Sequence, residues 1–99
     1  QMCIRDSSRR MPEISRFFGI VIQMFPERDI QHHRPHFHAR YQDWSATFAI
    51  DSVGVLAGEL PTPQRRLVEA WAIIHQGELM TNWDLLNSGQ ASFKIEPLM

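Results

Sequence analysis

Hydrophobic positions along the chain change their period at Pro61. Upstream they alternate or run together, as strands do; downstream they recur at three and four residues, as a helix requires. Arg16 to Phe25 (RFFGIVIQMF) is dense in aromatic and β-branched residues. Phe18, Ile20, Ile22 and Met24 alternate on one side of this run, and Phe17, Val21 and Phe25 on the other. An apolar strand on both faces predicts a central, covered strand. Pro26 to Pro35 (PERDIQHHRP) follows as a polar loop bounded by two prolines.

His36 to Gln42 alternates strictly, with Phe37, Ala39 and Tyr41 on one side and His36, His38, Arg40 and Gln42 on the other. Ser45 to Asp51 repeats the pattern, with Ala46, Phe48 and Ile50 opposite Ser45, Thr47 and Asp51. A connection this short predicts a tight hairpin. Any two-residue loop near Asp43 puts Phe37, Ala39 and Tyr41 on the same face as Trp44, Ala46, Phe48 and Ile50. Two registers satisfy this. With Gln42 opposite Ser45, His38 faces Ala49 and His36 faces Asp51. With Tyr41 opposite Trp44, His38 faces Thr47. A second turn, Ser52-Val53-Gly54, leads into Val55 to Leu60. A left-handed Gly54 pairs Asp51 with Val55, adds Leu56 and Leu60 to the apolar face, and sets Glu59 on the polar face across from Thr47.

Pro61 and Pro63 end the sheet. Thr62 suits an N-cap, and Pro63 the first helical turn. Leu67, Val68, Trp71, Ile74, Leu79, Trp83 and Leu86 follow helical spacing. Gly77 is the expected kink or break, and Asn87-Ser88-Gly89 the stop. Phe93, Ile95 and Leu98 suggest a short last strand or an ordered tail. The expected fold is α+β: a three- to four-stranded antiparallel meander covered on one face by a C-terminal helix or kinked helix pair.

Composition narrows the classes. The 99 residues suffice for one core and are 43% hydrophobic and 21% charged, as in globular domains. A single cysteine, Cys3, excludes disulfide scaffolds and thiolate zinc sites. No apolar run is long enough to span a bilayer, and the N-terminus has no signal-peptide core, so a cytoplasmic protein is expected. Gln1 to Arg10 lacks any apolar period and is expected to be a disordered, even artefactual, leader ahead of a single domain from Met11 to Met99. Without it, 7 basic and 10 acidic residues leave a formal net charge of −3, which argues against nucleic-acid binding by bulk electrostatics.

Three segments in order carry a resemblance: MPEISRFFGIVIQMF, RPHFHARY, and LVEAWAIIHQGELMTNWDLLNSGQ continuing to KIEPL. Together they resemble domain-of-unknown-function family 4160, small bacterial proteins, over essentially Met11 to Leu98. Members of that family are often encoded beside a small protein of domain-of-unknown-function family 2442. The resemblance therefore implies a toxin–antitoxin-like pair with this chain on the toxin side. The family's loop reads as an acid, His, any residue, two prolines and then His-Phe-His. His32, Pro35, His36, Phe37 and His38 fit it; Gln31 stands in the acid's place and Arg34 in that of the first proline. Asp29 is the nearest substitute for the acid.

Four of the five histidines, His32, His33, His36 and His38, fall within seven residues. The period of a strand sets His36 and His38 on one side. Either hairpin register gathers His36, His38 and Arg40 with Glu59 or Asp51, and His32 and His33 extend the cluster as binding residues. One chemistry for such a face is general acid–base catalysis on RNA, with Arg40 stabilising phosphate and no cofactor needed. Another is a divalent metal held by His36, His38 and a carboxylate, although the sequence identifies no third ligand. A third use is none: a solvent-facing sheet surface filled by His and Arg. A non-catalytic module holding a partner protein on this face or at a sheet edge also fits. Trp71 and Trp83 read as core aromatics, His75 as a packed or capping histidine, Arg65 and Arg66 as solvated helix face, and Asn82 as a hydrogen-bonding group within the sheet–helix interface.

Overall fold

The structure is a computed structural model that describes residues 13–26 and 34–98. Residues Gln1 to Arg10, the expected leader with Cys3, and the loop positions Asp29, Gln31, His32 and His33 lie outside the described residues. Five strands form one antiparallel sheet in the order β1-β2-β3-β4-β5, so every strand pairs with its neighbour in sequence. They are β1 (Glu13–Phe17), β2 (Ile20–Gln23), β3 (His36–Tyr41), β4 (Trp44–Ala49) and β5 (Val55–Glu59). Two helices follow, α1 (Thr62–Ile74) and α2 (Gln76–Asn87). The α+β class and the meander stand; the strand count among the described residues is five, not three to four.

The extra strand comes from the first apolar run, which is a hairpin and not one covered strand. Phe17 pairs with Ile20, and Phe18-Gly19 form the turn at φ 51° and 78°. Positive φ at both central positions is the geometry whose twist matches paired strands, and Asn-Gly is its usual filling. Phe18 is therefore a bulky residue in a left-handed conformation, and it is 53% exposed instead of sharing a face with Ile20. Phe18→Asn is expected to raise stability by about 0.5–1 kcal/mol, because Asn tolerates this conformation. A lowered denaturation midpoint would show that the phenyl ring makes contacts worth more than the strain.

The β3–β4 hairpin takes the register with Tyr41 opposite Trp44, Phe37 opposite Phe48 and His38 opposite Thr47. Gln42 at φ 55° opens the two-residue turn. Past β4 the expectation fails in detail. Val53, not Gly54, is left-handed at φ 58°. Phe48 rather than Asp51 pairs with Val55, and the register shifts between Thr47 and Phe48. That bulge leaves Leu56 44% exposed, off the apolar face, while Leu60 is buried. Glu59 pairs with Ser45 and not with Thr47.

The core is aromatic. Phe37 and Phe48 stack across the strands at 5.3 Å, and Trp71 of α1 sets its ring 5.9 Å from Phe37 and 5.4 Å from Phe17. Helix α1 begins one residue earlier than Thr62 suggests: Pro61 occupies the capping position with no side-chain hydrogen bond, and its carbonyl accepts from the Arg65 N–H. Val68, Trp71 and Ala72 are buried, whereas Ile74 is 66% exposed. The helix breaks at His75, not Gly77, and Gln76 anchors the break by donating to the Ile50 and Asp51 carbonyls. Helix α2 ends at Asn87, with Gly89 left-handed at φ 84°.

Residues 90–98 form no strand but are held as a tail. Asn82 lies at the sheet–helix interface as expected, fully buried, and grips the Phe93 peptide through two hydrogen bonds of 2.9 Å. Trp71 Nε1–H donates to the Glu96 carbonyl, and the Ile95 N–H to the Ile14 carbonyl of β1. Ile95 is buried, but Phe93 is not. No helix among the described residues is long and apolar enough to cross a membrane.

Candidate functional site

Strand β3 presents His36, His38 and Arg40 on the face away from Phe37 and Ala39, as alternation requires. The register then fixes what each one meets. His36 faces Ala49, His38 faces Thr47 and Gln23, and Arg40 faces Ser45 and Val21. Ser45 in turn faces Glu59, so Arg40, Ser45 and Glu59 form one row across three strands.

This face is not simply solvated. His36 and His38 are both half-buried. Their rings meet edge to face at 5.2 Å and 84°. Phe25 closes on His38 at 5.1 Å, and Trp83 of α2 closes on His36 at the same distance. Four aromatic rings, from the segment just after β2, from β3 and from α2, thus run in sequence, with the two imidazoles in the middle. Trp83 is the core anchor that its spacing predicts, yet one side of it is the histidine's neighbour.

Hydrogen bonds orient both imidazoles. His36 Nδ1–H donates to the Arg34 carbonyl at 2.8 Å, a bond that places the hydrogen of the neutral ring on Nδ1. Pro35 fixes this approach to the strand, its own carbonyl accepting from the Ile50 N–H. His38 Nδ1 lies 3.2 Å from Thr47 Oγ1. Beside His38 a hollow of about 230 Å³ opens, lined by His38, Ser45, Ala46, Thr47, Ala57 and Gly58.

Asp51 takes no part in this. It sits in the β4–β5 turn, where it accepts from Arg34 at 2.7 Å and from the Ser52 N–H at 2.6 Å. The Arg34 guanidinium beside it holds its carboxyl below the usual carboxylate range. Its expected place opposite His36 belonged to the other register. His75 is a packed histidine, 5.5 Å from Trp71 and bonded through Nδ1 to Glu78. Arg65 and Arg66 reach Glu69 on the same helix, at 3.2 and 4.0 Å. Among the described residues no three His, Cys, Asp or Glu side chains gather as a metal site requires.

The alternation of residues 36–42 is enough to find His36, His38 and Arg40. Phe25, Trp83 and the hollow escape it, because they depend on how the loop after β2, helix α2 and strand β5 close around β3. One signal was available for the hollow: a glycine inside a strand pattern, Gly58, marks a bulge or a close backbone approach.

What these observations define is a small α+β protein, an antiparallel meander with helices at its C-terminal end and a pair of histidines on β3. The family described as domain of unknown function (DUF4160) matches residues 19–84, and the chain belongs to that family. The match runs from the β1–β2 turn into α2, so β1 and the tail lie outside it. No curated protein and no solved structure matches the chain.

Proposed function

We propose that this chain cleaves RNA by general acid–base chemistry and is the toxin-side member of a toxin–antitoxin-like pair, its partner a small protein of domain-of-unknown-function family 2442. The observation that carries the chemistry is the contact of His36 with His38 at 5.2 Å, on the side of β3 where His38 borders the hollow. Two adjacent imidazoles can act as base and acid on one phosphodiester. His38 takes the proton of a ribose 2′-hydroxyl while the 2′-oxygen forms a bond to the adjacent phosphorus. The bond from phosphorus to the 5′-oxygen breaks, and protonated His36 gives that oxygen a proton. The products are a 2′,3′-cyclic phosphate and a 5′-hydroxyl, with no net change in protons or electrons. Arg40, the next residue along the same face, balances the phosphate's charge, and Glu59 is the carboxylate sharing its row.

The test is the cleavage rate of a single-stranded RNA by the full chain, together with growth inhibition on expression. His38→Ala is expected to lower the rate about 10²–10⁴-fold. Its thermal melt should stay close to that of the unmodified protein. No cleavage by the unmodified protein, or an unchanged rate in His38→Ala, would sink the proposal. Co-expression of the partner should restore growth.

A second use, a protein-binding module without catalysis, draws on β5. All five of its residues are exposed, including Val55 at 39% and Leu56 at 44%. Capture of the partner with no cleavage by either protein, and weakened capture in Leu56→Asp, would favour it.

A further inference from the structure

We infer that the hollow beside His38 seats one ribonucleotide unit, ribose inward, and that Ala57 decides what enters; this rests on the RNA-cleaving reading above. The hollow exists because β5 departs from regular pairing. The shift between Thr47 and Phe48 swings Leu56 outward. Gly58, at φ 75°, brings the two backbones so close that a Cβ on it would lie 2.3 Å from the Ser45 carbonyl oxygen. Position 58 therefore admits no side chain, and position 57, opposite Thr47, carries only a methyl. Bulges of this kind recur next to functional sites, where they redirect a strand's side chains.

Size and lining indicate the ligand. A volume of about 230 Å³ falls below the roughly 300–1,000 Å³ of sites for drug-sized molecules, so a sugar fits and a dinucleotide does not. By register His38, Ser45 and Thr47 share the face on which the hollow opens, and the Ala57 methyl stands opposite Thr47; Ala46, whose methyl belongs to the core, borders the hollow with its backbone. A ribose has the matching division, hydroxyls along one edge and C–H groups on its faces. The 2′-hydroxyl distinguishes RNA from DNA, and in this orientation it meets the Thr47–His38 pair. Arg40, one step along β3 in the row of Ser45, lies on the side from which a phosphate would follow.

The test titrates uridine 3′-monophosphate, 2′-deoxyuridine 3′-monophosphate and inorganic phosphate into the full isotope-labelled chain, following amide and imidazole resonances. The ribonucleotide should shift Thr47, Ala57, Gly58 and the His38 ring, and should bind at least about tenfold more tightly than either control, a difference of about 1.4 kcal/mol. Ala57→Leu should abolish those shifts and slow RNA cleavage, while Ile74→Ser, on the exposed surface of α1, should change neither. Equal binding of the ribo and deoxy forms would overturn the inference, as would an Ala57→Leu protein that binds normally. If Ala57→Leu does not fold, the comparison of ribo and deoxy forms in the unmodified protein decides alone. Cleavage that survives Ala57→Leu removes this inference and leaves the acid–base proposal standing. Ribonucleotide binding without cleavage does the reverse.

Discussion

Trp71→Ala is expected to lower stability by about 3–5 kcal/mol, the usual scale for truncating a large buried aromatic. Trp71 is fully buried and belongs to every part of the fold at once. Its ring touches Phe17 of β1, Phe37 of β3 and His75 at the helix break, at 5.4, 5.9 and 5.5 Å. Its Nε1–H holds the tail through the Glu96 carbonyl at 2.8 Å. Truncation would leave a cavity at the meeting point of sheet, helix and tail, where no single element can relax to fill it. Trp71→Phe separates the two contributions. It keeps most of the packing and loses the hydrogen bond, and the share due to that bond is about 1 kcal/mol. Chemical denaturation followed by far-ultraviolet circular dichroism measures both. A loss below about 1 kcal/mol for Trp71→Ala would place the ring outside the core.

The second large effect is expected at Gly58. Gly58→Ala should cost about 2–4 kcal/mol, from a left-handed backbone that disfavours any Cβ and from overlap with a neighbouring strand. The obstacle is the Ser45 carbonyl oxygen at 2.3 Å, with the Ala46 Cα at 3.0 Å, and backbone atoms cannot rotate aside as the end of a side chain can. Gly77→Ala is the natural comparison. A Cβ there meets nothing within 4 Å, and the site is helical, so the same change should be neutral or stabilising by up to about 1 kcal/mol. Equal melting temperatures for the two variants would refute the close approach of β4 and β5.

The features legible in the sequence are those set by a single period. Phe37, Ala39 and Tyr41 against Ala46 and Phe48 reveal the central hairpin, because only a tight turn places both sets on one face. The same pattern accepts two registers, and Gln42 adopting φ 55° selects between them. A glutamine carries no strong preference for that conformation, so the choice is made by packing. Phe18-Gly19 misleads for a related reason. A phenylalanine where asparagine is usual hides a turn inside an apolar run, and only the glycine hints at it. Ile74 continues the helical spacing, yet it falls outside because the helix breaks one residue later, at His75. His36 and His38 are visible as neighbours along a strand; their enclosure by Phe25 and Trp83 is tertiary, and no local pattern encodes it.

The sequential strand order also bears on how the molecule assembles. Each of the four strand pairings joins segments adjacent in the chain, three across short turns and β2–β3 across residues 24–35, so closure costs little entropy. Such a sheet can zip hairpin by hairpin, and a topology rich in near-neighbour pairings folds quickly. The exception is the Ile95–Ile14 hydrogen bond, which joins nearly opposite ends of the described chain. On the ribosome the strands emerge before the helices, and residues 90–98 emerge after both. Docking of Ile95 against β1 therefore follows the emergence of both helices, and β1 waits through all of it for this neighbour.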